Sequence, residues 1–309
     1  MQFRHPWGGL ADPAWSLGAD VAILGVPYDG AACFRAGAAQ APQRLRAISN
    51  SSPAISEEGY VVDPARFQVR DAGDVTAPLD AAGQPDGSEA GRVAYFERVH
   101  EAAGQELGSS FLLTVGGDHS VTIPLTRAFA RAHPEGFGLV LLDAHPDLFD
   151  TYEGSKTSHA CPMRRALETG ALVAQHLLIL GTRSYNAVEL DFMKQAGVRF
   201  VPARELQRMG MDAAVKVAHQ QLAGVRSVYL TIDIDVADPA CAPGTGAPVA
   251  GGLSSRQLLD LARGLVEALP VRAMDIVEVA PPLDPADITL FLALQIVFET
   301  FCVLARKKG

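Results

Sequence analysis

Three short apolar runs constrain this chain more than any other feature, because each has the length of a strand and each ends in acids or imidazoles. Phe111-Leu112-Leu113-Thr114-Val115 leads into Gly116-Gly117-Asp118-His119-Ser120. Phe137-Gly138-Leu139-Val140-Leu141-Leu142 leads into Asp143-Ala144-His145-Pro146-Asp147, and Val228-Tyr229-Leu230-Thr231-Ile232 into Asp233-Ile234-Asp235. Runs this short and this apolar suit strands buried on both faces of a sheet. Open parallel α/β sheets hold their ligands just beyond the carboxyl ends of the strands, where all three runs place polar residues.

The rest of the chain fits that architecture. Further strands are expected at 21–26, 69–75, 177–181, 198–201 and 271–279. Helices are expected at 38–48, with Pro42 in the first turn, and at 89–107, where Val93, Phe96, Val99 and Leu107 form the apolar stripe. Others fall at 121–133, 163–168 (capped by Thr157 or Ser158), 188–196, 211–222, 254–269 (capped by Ser254 or Ser255) and 288–305. A Gly/Pro-rich loop spans 78–88. Alternating strands and helices predict an α/β fold, a three-layer α-β-α arrangement around a mostly parallel sheet. No linker or repeat divides residues 1–309, so one domain is expected.

In extended backbone, residues two apart share a face. Asp143, His145 and Asp147 then converge if the chain stays extended through Pro146, and Asp233 and Asp235 converge likewise. Crowded carboxylates and imidazoles are unfavourable unless a cation sits among them. One such triplet is equally well a solvated strand end; three strand ends together favour a metal, and an oxygen-rich set with some imidazole suits manganese.

Composition narrows the alternatives. With 48% hydrophobic and 20% charged residues, the 309-residue chain can bury a sizeable core. A net charge of −9 without any basic stripe argues against nucleic acid. Arg306-Lys307-Lys308 reads as a solvated tail, and the tract from Leu290 to Phe298, broken by Gln295, as a core helix rather than a membrane span. The four separated cysteines, Cys33, Cys161, Cys241 and Cys302, read as reduced, mostly buried thiols, and with no signal-peptide pattern a cytoplasmic location is expected. A dinucleotide fold is discarded, since the expected strand at 21–26 is not followed by G-x-G-x-x-G.

Taken in order, Gly116–Ser120, Asp143–Asp147, Ser158-His159-Ala160-Cys161-Pro162, Asp233–Pro239, Ala242-Pro243-Gly244-Thr245-Gly246 and Asp275–Pro282 resemble the arginase/agmatinase (ureohydrolase) family over most of the chain. The resemblance implies the arginase/deacetylase-like fold and two manganese ions per subunit. His119 and Asp147 would hold one ion, His145 and Asp233 the other, with Asp143 and Asp235 shared. Such ions, roughly 3.5–4 Å apart, acidify a shared water that attacks the guanidinium carbon. Glu278 would pair with the guanidinium, and His159 would pass a proton to the leaving amine. Thr245 would sit beside the substrate, although a loop-capping hydroxyl explains it as simply. Arg35 and Gly37 match the family without suggesting a chemical role, and Asp118 and Asp238 read as supporting acids. Assembly as a homo-oligomer, trimer or hexamer, is a further implication.

The loop 150–159 lacks arginase's amino-acid-binding segment and looks like the agmatinase branch. Asp150 and Glu153 would suit the amine of agmatine, so agmatine is the expected substrate. For a guanidino acid such as guanidinobutyrate, the cations in reach would be Lys156, Arg164 or Arg165. Outside this class stand a metal-dependent amide hydrolase or deacetylase, and a non-catalytic metal binder.

Overall fold

Leu139 and Leu141 pack into one apolar core and Val140 and Leu142 into another. That alternation places a sheet between two helical layers. The computed structural model describes residues 5–12, 18–82 and 88–308, so positions 83–87 of the expected 78–88 loop lie outside the described residues. Its eight strands are β1 (Val21–Gly25), β2 (Val69–Asp74), β3 (Phe111–Val115), β4 (Phe137–Leu142), β5 (Leu172–Leu180), β6 (Arg199–Val201), β7 (Val228–Asp233) and β8 (Val271–Val277). They form one sheet in the order β2-β1-β3-β8-β7-β4-β5-β6, and every pairing is parallel. The expectation of a mostly parallel sheet is thus exceeded.

On one face lie α1 (Ala41–Ile48), α7 (Met211–Gln221), α8 (Ser255–Ala268) and α9 (Ile288–Lys308). The other carries α2 (Glu89–Glu106), α3 (Thr122–Ala132), α4 (Pro162–Leu167) and α5 (Ala187–Ala196). Helix α6 (Ala203–Met209), which follows Pro202, was not anticipated; seven residues are too few to show a period. Ser254 and Gln257 close a capping box at the start of α8. Neither Thr157 nor Ser158 caps α4, whose N-cap is Cys161 with no side-chain bond. The buried stripe of α2 is Tyr95, Phe96, Val99 and Ala103, leaving Val93 in solvent. Helix α9 lies in a segment, Pro285–Lys308, long and apolar enough to cross a membrane by length and composition, despite Gln295; most of it is buried inside the fold, as a core helix is.

Register brings the central strand ends level. Val115 pairs with Ile276, Ile276 with Ile232, and Ile232 with Leu142. The four adjacent strands β3, β8, β7 and β4 therefore all stop at the same height, and the chain beyond each opens into one cleft.

Candidate metal centre and cleft

Of the strand-end acids, Asp233 is still on extended backbone as the last residue of β7, but Asp143, Asp147 and Asp235 lie beyond their strands. Strand β4 ends at Leu142, the His145 N–H donates to Asp143 Oδ1 (2.6 Å), and Asp147 sits at φ +52°. Beyond β7 the chain enters a 3-10 turn over Ile234–Val236, with the Asp235 N–H donating to Asp233 Oδ1 (2.8 Å). Tight turns, with each Asp accepting the N–H two residues on, replace the expected alternation. Convergence survives because the turns curl over the strand ends.

His119 is fully buried after β3, its Nε2 3.0 Å from Thr231 Oγ1. Its Nδ1 faces Asp147 Oδ2 at 2.9 Å, Asp143 Oδ2 at 3.2 Å and Asp233 Oδ2 at 3.4 Å. His145 Nδ1 faces Asp235 Oδ2 at 3.0 Å and Asp143 Oδ1 at 3.5 Å. Asp235, expected to be shared, faces His145 here. Asp233 groups with His119 and Asp235 with His145, because Asp233 still belongs to β7 whereas Asp235 lies on the 3-10 turn that follows it. Asp143 reaches both histidines, one oxygen to each.

Charge balance favours cations here. Burial lifts the Asp147 and Asp233 carboxyls above the ordinary range, Asp143 adding to the first, Asp235 and Asp143 to the second. Asp143 goes the other way, since His119 and His145 outweigh its burial. His145 is driven up to about 12, burial being outweighed by Asp235 and Asp143. His119 Nδ1 and Asp143 Oδ2 are buried without a hydrogen-bond partner. Buried lone pairs this close, and otherwise unsatisfied, are what a divalent ion replaces. The trios His119/Asp143/Asp233 and Asp143/His145/Asp235 each offer ligand atoms within 4.8 Å of one another.

Glu278 follows β8 at φ +60°, a left-handed conformation that a Glu adopts only when its surroundings impose it. Its N–H donates to the Gly117 carbonyl (2.8 Å), and its Oε1 accepts the His119 N–H (2.8 Å). Burial, then the nearby Asp118, pushes its carboxyl well above the usual range. A cation beside it would reverse that.

His145, Asp147, Asp233, Asp235 and Glu278 floor a cleft of about 330 Å³, with His119 and Asp143 fully buried against them and His159 and Thr245 also in the lining. Thr245 Oγ1 is buried and unpartnered. Asp150 does not line the cleft; its side chain is 53% exposed, 2.7 Å from Arg165 and 3.9 Å from Lys156. Arg164 stacks over the Phe192 ring (3.9 Å to its centroid), and neither it, Arg165 nor Lys156 reaches the lining. Arg35, Phe34, Tyr152, Tyr185, Ser184 and Asn186 form the rim instead. Arg35 holds the Thr245 and Gly246 carbonyls at 3.1 Å each, so its role is to pin the turn that presents Thr245. Gly37, at φ +138°, brings that loop against Pro282.

Sequence reasoning missed two supports. The Arg183 guanidinium binds the backbone carbonyls of Asp235, Val236, Ala237 and Val249 behind the acids. Glu189 accepts from Leu148 N (3.1 Å) and Asn186 N (3.0 Å), and burial raises it to about 7. The Asn186-x-x-Glu189 spacing is a capping-box signal that could have revealed it. Of the four thiols, expected to be mostly buried, Cys33 is exposed in the cleft wall, whereas Cys161 is buried and pushed by burial up to about 11, which suits a packed thiol.

A parallel sheet with acids and imidazoles on four adjacent strand ends is the framework of a metal-dependent hydrolase. The arginase family model matches residues 19–302, and the chain belongs to that family, whose members hydrolyse guanidino compounds. It is 35% identical to guanidinopropionase of Pseudomonas aeruginosa over 96% of this chain and 89% of that enzyme. It is 36% identical to the mitochondrial agmatinase of Gallus gallus over 93% and 82% of the respective chains. Proclavaminate amidino hydrolase of Streptomyces clavuligerus superposes with a TM-score of 0.84 at 32% identity, covering 99% of this chain and 97% of that one.

Proposed function

We propose that this chain is a two-metal ureohydrolase that releases urea from a small linear guanidino compound, with manganese as the ion. The observation that carries the reading is the floor of the cleft, where two imidazole–carboxylate groups share Asp143 and sit beside the buried Glu278. His119, Asp147 and Asp233 would hold one ion, His145 and Asp235 the other, and Asp143 both. Bound there, a pair of divalent ions supplies a water acidified towards neutrality and offsets the charge of the four carboxylates.

The chain's own residues do the rest. Glu278 receives the guanidinium, a planar cation matched to a carboxylate. Its Oε2 lies on the side of Gly246, where a Cβ would stand 3.6 Å away, so a small residue keeps that approach open. Thr245 Oγ1 gains in the substrate the partner it otherwise lacks. His159 moves a proton to the leaving amine. Phe34, Tyr152 and Tyr185 line the path of an aliphatic stem and keep water from it.

The tail of the substrate is set by the rim. Agmatine was favoured by an acidic loop, but Asp150 is turned to Arg165 and both Glu189 oxygens are taken by backbone N–H groups. With Glu189 so occupied, the rim's cationic side chain among the described residues is Arg35, beside the amide of Asn186 and the hydroxyl of Ser184, its Nη1 lying outside the two bonds that Nε and Nη2 make to the Gly246 and Thr245 carbonyls. That set suits a carboxylate, so a guanidino acid comes ahead of agmatine. Agmatine is the second reading, supported by aromatic rings that can face an ammonium. Urea release from manganese-loaded protein across guanidinopropionate, guanidinobutyrate, agmatine and arginine tests both. The highest kcat/KM is expected on a guanidino acid. Preference for agmatine would reverse the tail assignment and keep the chemistry; silence on all four with two metals bound would overturn urea release.

A further inference from the structure

We propose that Asp118 is a positioning residue which acts on His159 through the backbone of Ala31 and locks the ring as the Nδ1–H tautomer. Asp118 is fully buried behind the metal-site loop. Its Oδ2 accepts the Ala31 N–H (2.8 Å), and its Oδ1 accepts the Ser120 N–H (3.0 Å) and the Ser120 hydroxyl. The Asp118 N–H in turn donates to the Tyr28 carbonyl (2.7 Å). The segment from Tyr28 to Ala31 is thus tied to Asp118 at two points. It can approach because position 117 is glycine: a Cβ there would lie 1.6 Å from the Tyr28 oxygen.

Ala31 then presents its carbonyl oxygen 2.6 Å from His159 Nδ1. A carbonyl only accepts, so Nδ1 must carry the proton, and the neutral ring keeps its lone pair on Nε2. The Ser158 hydroxyl lies farther from the same nitrogen, at 3.4 Å, and the Tyr152 ring meets the imidazole edge-on at 5.8 Å between centroids. The ring is held on one edge and free on the other. His159 can therefore take up and deliver a proton only through Nε2. Three donors converge on Asp118, which is why a carboxylate is needed; an amide would offer one oxygen for all of them. The run Gly117-Asp118-His119 consequently orients histidines on two sides of the cleft, His119 directly and His159 through the peptide at Ala31.

The use of this tautomer in catalysis rests on the proton role proposed above, but the tautomer itself does not. Ring-15N histidine NMR on the zinc-loaded, diamagnetic protein distinguishes the two neutral forms, with His159 assigned by the loss of its signals in His159→Asn. The wild type is expected to show Nδ1–H at His159; an Nε2–H ring would overturn the proposal whether or not the protein releases urea. In Asp118→Asn the ring should populate both tautomers, and kcat for urea release should fall by about tenfold or more, with KM within about twofold and metal content unchanged, as for a misaligned catalytic group. A folded, metal-loaded Asp118→Asn with the wild-type tautomer and kcat would remove Asp118 from the relay. If that variant does not fold, Ala31→Pro decides on the same readouts, since it deletes the N–H while leaving Asp118 beside His119. Wild-type silence on every guanidino substrate would sink the ureohydrolase reading and leave the tautomer measurement standing.

Discussion

The floor and the rim of the cleft are built on different principles. On the floor, His119, Asp143, Asp233 and Glu278 each lie within a few residues of the end of one of four level, adjacent strands. Their positions follow from sheet register, and each is buried. The rim and the segment behind it come from loops and one helix start that depend on distant partners: Arg35 on the Thr245–Gly246 turn, Glu189 in the first turn of α5 on Leu148, and Ala31, next to the lining, on Asp118. A rigid floor can preserve one chemistry while the rim is remodelled for another tail. That matches the relatives, which differ in substrate by name while sharing about a third of their residues with this chain.

The comparison breaks most severely at Asp143. Asp143→Ala should lose both metals and lower kcat by about 10⁴-fold or more, since it removes the carboxylate common to both groups and leaves His119 facing unpaired acids. Asp235→Ala, by contrast, should lose one metal and keep the other, because Asp235 reaches the His145 side. Metal analysis after gel filtration separates the two; equal loss from both variants would restore the shared role first expected for Asp235. Next in size is Glu278→Gln. It should retain both metals yet lower kcat/KM by about 10²–10³-fold, through loss of a charge-assisted contact to the guanidinium.

The same division decides what the sequence discloses. The floor was legible because each ligand adjoins a strand-length apolar run, and such runs announce themselves. Their local geometry was not: Asp147 at φ +52° and the 3-10 turn at Ile234–Val236 both replace strand alternation, so the sequence pointed to the candidate ligands but not to the pairing of Asp233 with His119 and of Asp235 with His145. Rim residues carry no local signal. Nothing around Asp150 shows that Arg165 claims it, and nothing around Arg35 shows that its partners lie more than 200 residues away. The exception is Glu189, whose cap spacing is local even though its contact with Leu148 is not.

Glu189 joins the two regions, and its titration measures how tightly. Burial raises its carboxyl to about 7, above the ordinary value of about 4.3. A carboxyl raised on folding contributes stability that is complete below about pH 4.3 and is lost as the pH climbs through about 7. In metal-free protein, Glu189→Gln removes this titration, although it also weakens one of the two backbone contacts. The Tm of the variant minus that of the wild type should therefore rise between pH 4 and pH 8. A difference that stays flat or falls would mean that Glu189 is ionised at no cost in the fold.

The smallest effect is expected at Asp150, and it tests the boundary of the rim. Asp150 lies on the same loop as the aromatic residues that line the cleft, and it is acidic, so proximity in sequence makes it a natural partner for a substrate amine. Geometry says otherwise: its half-exposed carboxylate bonds Arg165, and an ion pair with one partner in solvent is screened and adds little. Asp150→Ala should leave KM and kcat within about twofold on agmatine and guanidino acids alike, because that pair carries no load for the cleft wall. A selective rise in KM for agmatine would show that the loop swings Asp150 inward when a cationic tail arrives. The rim would then extend to this loop, and agmatine would regain first place over the guanidino acids.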